Sequence, residues 1–137
     1  MKAFEFYRTP KLVFGPGRVK ELGPIAARYG SNVLVVTGRG SLDRTGHWKR
    51  CEESLNQASI RFHRYRCGGE PSPGLVDTAV MQFASVTLDA VVAIGGGSVI
   101  DCGKAVAAML PLGESVTPYL EGVGTKKHPG KTLPFIA

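Results

Sequence analysis

Two spacings of apolar residues alternate along the chain. Unbroken apolar runs, Val33-Leu34-Val35-Val36 and Ala90-Val91-Val92-Ala93-Ile94, suit strands covered on both faces, and predict strands over 33–37 and 90–94. Around them, apolar residues recur every three or four positions, the spacing that gathers side chains along one side of a helix. Val19, Leu22, Ile25 and Ala26 predict a helix from Arg18 to Tyr29, ended by Gly30 and kinked at Gly23-Pro24. Trp48, Cys51 and Leu55 predict a second over 43–57, and Ile60 to Tyr65 reads as extended. Beyond Pro71-Ser72-Pro73, the positions Leu75, Val76, Ala79, Val80 and Phe83 predict a third helix, and a fourth runs from Val99 to Leu110. Phe4–Tyr7 and Leu12–Phe14 flank Thr9-Pro10 and predict an antiparallel hairpin that Gly15-Pro16-Gly17 ends.

Strands separated by helical crossovers give an α/β fold: a parallel sheet with helices on both faces, Rossmann-like, plus the N-terminal antiparallel β-hairpin. Residues 111–131 are rich in glycine, proline and charge and read as loop with one short helical turn. Thr132 to Ala137 is apolar and strand-like up to the last residue, as expected of a polypeptide cut short; the alternative is a last strand that closes the sheet at its edge.

The strand at 90–94 runs directly into Gly95-Gly96-Gly97-Ser98 and then a helix. Glycines permit a tight turn and close approach of a ligand, and the following helix start aims N–H groups and its positive dipole end at the turn, which suits a phosphate. The same residues also read without a ligand: Ser98 and Asp101 have capping-box spacing, and glycines join strands to helices in many folds. Two established phosphate patterns fail. G-x-G-x-x-G meets Ile100 where its third glycine belongs, and a P-loop ending at Gly103-Lys104 has Ser98 for its first glycine and Ala105 for its hydroxyl.

The 17 basic side chains exceed the 11 acidic ones by 6, a balance open to nucleic acid, acidic membranes or a phosphorylated small molecule. Arg39, Arg44, Lys49, Arg50, Arg61, Arg64, Arg66, Lys126, Lys127 and Lys131 are spread over several elements without interleaved aromatics, so a solvated basic surface is expected and no nucleic-acid partner. No run of apolar residues is long enough to span a membrane, and the N-terminus lacks the apolar stretch of a signal peptide. Cys51, Cys67 and Cys102 are odd in number and without C-x-x-C spacing; reduced thiols and a cytoplasmic location are expected. His47, His63 and His128 lack ligand spacing, so neither a metal site nor a catalytic residue is assigned.

Gly95-Gly96-Gly97-Ser98-x-x-Asp101-x-x-Lys104 resembles the signature of the iron-containing (group III) alcohol dehydrogenases. Phe14-Gly15-Pro16-Gly17, Val35-Val36-Thr37-Gly38, Glu70-Pro71-Ser72-Pro73 and Leu133-Pro134-Phe135-Ile136-Ala137 resemble further segments of that family. The resemblance covers essentially the whole chain and corresponds to the family's N-terminal domain. It implies that residues 1–137 are the NAD(P)-binding domain of a metal-dependent oxidoreductase that interconverts alcohols with aldehydes or ketones by hydride transfer. The family's C-terminal helical domain, which holds iron or zinc on one aspartate and three histidines, has no counterpart here, so this chain alone is not expected to catalyse. Its implied partners are a nicotinamide dinucleotide, a small alcohol or aldehyde in the full-length enzyme, and a further copy of itself.

By the same resemblance the implied cofactor-binding residues are Gly38, Arg39, Gly40, Ser41, Ser72, Gly95, Gly96, Gly97, Ser98 and Asp101. Gly96, Gly97 and Ser98 would line the pyrophosphate, with Asp101 beside them; an ionised carboxylate is no direct phosphate ligand, so Asp101 would cap the helix, orient the loop, or contact the ribose or nicotinamide. NAD-preferring members carry an acid where this chain has Gly38, and Arg39 beside it can pair with a 2′-phosphate, so NADP(H) is expected over NAD(H). Ser72 replaces the family's usual asparagine. The alternative is a stand-alone nucleotide-binding or regulatory module without enzymatic activity.

Overall fold

The computed structural model describes residues 10–137. Its centre is a sheet of strands β1 (Asn32–Thr37), β2 (Arg61–Arg66), β3 (Ala90–Ile94) and β4 (Phe135–Ile136), all parallel in the order β2-β1-β3-β4. Alternation along β1 explains why both faces are covered. Leu34 and Val36 point into one core, against α4 (Pro73–Phe83) and α5 (Gly97–Met109); Val33 and Val35 point into the other, with Ala26 of α1 (Leu22–Ala26) and Leu55 of α3 (His47–Gln57). Val33, Leu34, Val35 and Val36 are all fully buried, each worth about 1.5–3 kcal/mol of removed apolar surface. On the α5 side the packing is close: a β-carbon on Gly103 would stand 2.8 Å from Ala93 Cβ and 3.0 Å from the Phe135 ring.

The helix expected over 18–29 is broken into a 3-10 turn at Arg18–Glu21 and α1. Pro24 has no N–H to offer the Lys20 carbonyl one turn back; instead the buried Ser54 Oγ donates to Lys20 O at 2.9 Å and accepts from Gly23 N at 3.0 Å. The helix expected over 43–57 is also two, α2 (Ser41–Arg44) and α3, parted by Gly46 at φ 71°. The capping box at Ser98 and Asp101 is not made: Gly96 is the N-cap of α5 and no side chain bonds there. In the tail, a 3-10 turn at Thr117–Tyr119 supplies the short helical turn, and only Phe135 and Ile136 pair as strand. Of the N-terminal hairpin, Phe4–Tyr7 lies outside the described residues, and Leu12–Phe14 is not in a strand.

Thr37 pairs with both Arg66 and Ile94, so β1, β2 and β3 end at one level. From β1 the chain first moves outward to β2, then crosses back past β1 to β3. The loops leaving β1 and β3 therefore diverge, and a crevice opens between them at the carboxyl edge.

Candidate functional site

Three loops meet at that edge: Gly38–Gly40 after β1, Cys67–Ser72 after β2 and Gly95-Gly96 after β3. They enclose a cleft of about 530 Å³ lined by Gly38 and Arg39, by Cys67, Gly69 and Glu70, and by Gly96 to Val99. The glycine turn sits on its wall. Val99 N and Ile100 N donate to the Gly96 carbonyl, while the N–H groups of Gly97 and Ser98 have no hydrogen-bond partner among the described residues. They leave the positive end of a 13-residue helix open beside the cleft.

The three glycines differ in what demands them. A β-carbon on Gly95 would come within 2.7 Å of Val99 Cγ2, so the packing of the turn on α5 excludes a larger residue there. Gly96 has φ −79° and ψ −174°, Gly97 is helical, and a β-carbon on either would meet nothing within 4 Å. Neither the backbone nor the packing requires glycine at 96 or 97. Their bare backbone forms a shallow cradle that a side chain would fill.

The structure gathers Gly38, Arg39, Gly96, Gly97 and Ser98 in the cleft and places the other candidates elsewhere. Gly40 is the N-cap of α2 and Ser41 its first residue. Ser72 caps α4, accepting from Leu75 N at 3.4 Å. Asp101 is exposed on α5, 3.6 Å from Lys104. Gly95 lines a second, apolar cavity of about 630 Å³ on the other side of the turn, with Phe14, Leu22, Ile94, Ile100 and Ile136. Glu70, absent from the sequence-derived set, is in the cleft and accepts from Ser98 Oγ at 3.2 Å. Its only sequence signal is its place before Pro71-Ser72-Pro73.

Arg39 lies flat across Gly68, whose lack of a side chain makes the room, with a long 3.5 Å contact from Nη2 to the Gly68 carbonyl. The loop carrying it is fastened from below. Arg64 donates through Nη1 and Nη2 to both Asp43 oxygens at 2.8 Å and through Nε to Thr37 Oγ1 at 3.0 Å, and stacks 3.9 Å over Trp48. Arg64 is thus an exception to the solvated basic surface, and its hydrogen bonds hold the Asp43 carboxyl below its ordinary pKa. Behind the cleft, Cys67 and Cys102 are buried together; desolvation first, and the hydrogen bond with Cys67 second, push the Cys102 thiol up to about 12.

Among the described residues no three His, Cys, Asp or Glu side chains converge as metal ligands. His63 packs edge-on against Phe83 with ring centroids 5.9 Å apart, and His128 Nε2 lies 3.1 Å from the Ala108 carbonyl oxygen. No helix is long and apolar enough to cross a membrane among the described residues.

The family model described as iron-containing alcohol dehydrogenase matches residues 9–137. The probable NADH-dependent butanol dehydrogenase 1 of Bacillus subtilis is 39% identical over 138 aligned residues, which cover 98% of this chain and 34% of that protein. NADH-dependent butanol dehydrogenase A of Clostridium acetobutylicum is 37% identical over 110 residues, 79% of this chain and 28% of the relative. Among solved structures, an iron-containing alcohol dehydrogenase from Thermotoga maritima superposes with a TM-score of 0.85 at 29% identity, covering 97% of this chain and 36% of that one. The chain spans about a third of the length of the curated relatives it matches over most of its own length.

Proposed function

The chain belongs to the iron-containing alcohol dehydrogenase family, and we propose that residues 1–137 are the part of such an enzyme that binds the nicotinamide dinucleotide. One observation carries the reading. Gly96 and Gly97 are glycine where the fold would accept a side chain, beside open helix N–H groups at the crevice between diverging β1 and β3. That combination of bare backbone, donors and positive dipole fits a pyrophosphate in charge and in reach.

On this reading Gly96, Gly97 and Ser98 hold the pyrophosphate, Gly95 sets the turn, and Gly38 and Arg39 face the adenosine ribose. Gly40 and Ser41 shape the Arg39 loop; Ser72 and Asp101 act from the rim. A bound nicotinamide ring supplies the acceptor or donor of hydride. The apolar cavity across the glycine turn gives the ring end of the ligand a place out of water. The chain spans about a third of the length of its relatives, and on this reading the iron or zinc of the family, and with it turnover of an alcohol or aldehyde, belongs to the remainder of such an enzyme. Three buried free cysteines suit the reducing cytoplasm.

NADP(H) is the preferred form. Gly38 puts no carboxylate at the end of β1 to accept ribose hydroxyls, and among the described residues the Arg39 guanidinium is held only by its long contact to Gly68, so it can turn onto a 2′-phosphate. The Bacillus and Clostridium relatives are named for NADH, so this preference rests on Gly38 and Arg39 alone.

Fluorescence titration of the chain with NADPH and NADH tests both statements. Saturable binding of both is expected, NADPH about tenfold tighter from one charge-assisted contact, with Arg39→Ala removing the difference. Failure of both nucleotides to bind overturns the reading; tighter NADH binding overturns the NADP(H) preference alone.

A further inference from the structure

Glu70 stands where, on the dinucleotide reading, a ligand carries negative charge. The segment after β2 runs back over the end of β1, so a residue from the far side of the sheet reaches the glycine turn. Among the described residues Glu70 is the only carboxylate lining the cleft. Its Oε1 accepts from Ser98 Oγ at 3.2 Å, next to the open N–H groups of Gly97 and Ser98. Among the described residues it has no ion-pair partner: Arg39, in the same cleft, is turned to the Gly68 carbonyl instead. Glu70 is exposed, so core packing does not place it there.

We infer that Glu70 is a built-in competitor for ligand phosphate and the residue that limits how strongly the cleft takes the additional phosphate of NADP(H). This rests on the dinucleotide reading of the cleft. The Ser98 hydroxyl has one proton to donate, and a phosphate oxygen that receives it takes it from Glu70. The displaced carboxylate remains a like charge near the pyrophosphate, and the penalty grows with each phosphate the ligand brings. Arg39 and Glu70 then pull in opposite directions on one choice, the arginine favouring a 2′-phosphate and the glutamate opposing it.

Glu70→Gln keeps the shape and an acceptor oxygen and removes the charge. Inorganic pyrophosphate, NADH and NADPH are titrated against both proteins at several ionic strengths. Pyrophosphate and NADH are expected to bind the variant roughly three- to tenfold tighter, as for one partly screened charge pair, and NADPH is expected to gain more than NADH. The gain shrinks as salt is raised, a dependence that a purely structural residue would not produce. Unchanged or weaker binding of the dinucleotides by the variant overturns the inference and leaves the reading intact. Tighter pyrophosphate with no dinucleotide binding by either protein upholds competition for phosphate at Ser98 but overturns the dinucleotide reading and, with it, the limit on NADP(H). No binding of any of the three ligands overturns both.

Discussion

Arg64 lies in an alternating basic strand, Arg61-Phe62-His63-Arg64-Tyr65-Arg66, whose Arg61 and Arg66 are exposed. Its own side chain is only 14% exposed and spends its donors on Asp43 and Thr37. The depressed Asp43 pKa has a definite sign. A carboxylate whose folded pKa lies below its ordinary 3.8 contributes stability that is present above that value and lost as pH falls through the folded one. The difference in denaturant midpoint between wild type and Asp43→Asn is therefore expected to be constant from neutrality down to pH 3.8 and to shrink below it; a difference unchanged through that acid range would contradict the pairing. The thiols give a second residue-scale prediction. Cys51 and Cys102 are raised by burial, and all three cysteines are buried, so alkylation at mildly basic pH is expected to be slow in the folded chain and complete on unfolding. Rapid labelling of the folded chain would show that the cores open.

Among the elements, the strands were the most legible. Val33–Val36 and Ala90–Ile94 are apolar throughout because helices cover both faces, and no polar alternation blurs them. Helix boundaries were legible only where their causes are local. Pro24 marks a break, but what mends it is Ser54, 31 residues from Gly23, and nothing in the local pattern singles out that serine. Ser54→Ala strands a buried N–H and a carbonyl together, and is expected to cost about 2–3 kcal/mol by chemical denaturation; a cost near zero would mean that the kink stands without it. The candidate site was legible in part for the same reason. Gly38, Arg39 and Gly96 to Ser98 follow strands directly and share the cleft. Ser41 and Ser72 belong to helix starts in the structure. Glu70 escaped notice because a loop crossing over β1 brings it in, and no spacing encodes that crossing.

At the scale of the whole molecule, sheet order, level strand ends and diverging loops produce the crevice, and the glycine turn forms part of its wall with bare backbone. The family match and the parallel order agree on the architecture. The proposed dinucleotide site requires that Gly96 and Gly97 be glycine for a ligand and not for the fold. The most direct measurement is Gly97→Ala, followed by thermal unfolding and NADPH titration on the same preparation. A β-carbon there meets nothing and restricts the unfolded chain, so stability is expected to stay level or rise by about 0.4–1 kcal/mol. The same methyl group crowds the cradle, so affinity is expected to fall about tenfold or more. Wild-type affinity in a stable Gly97→Ala protein would contradict the claim.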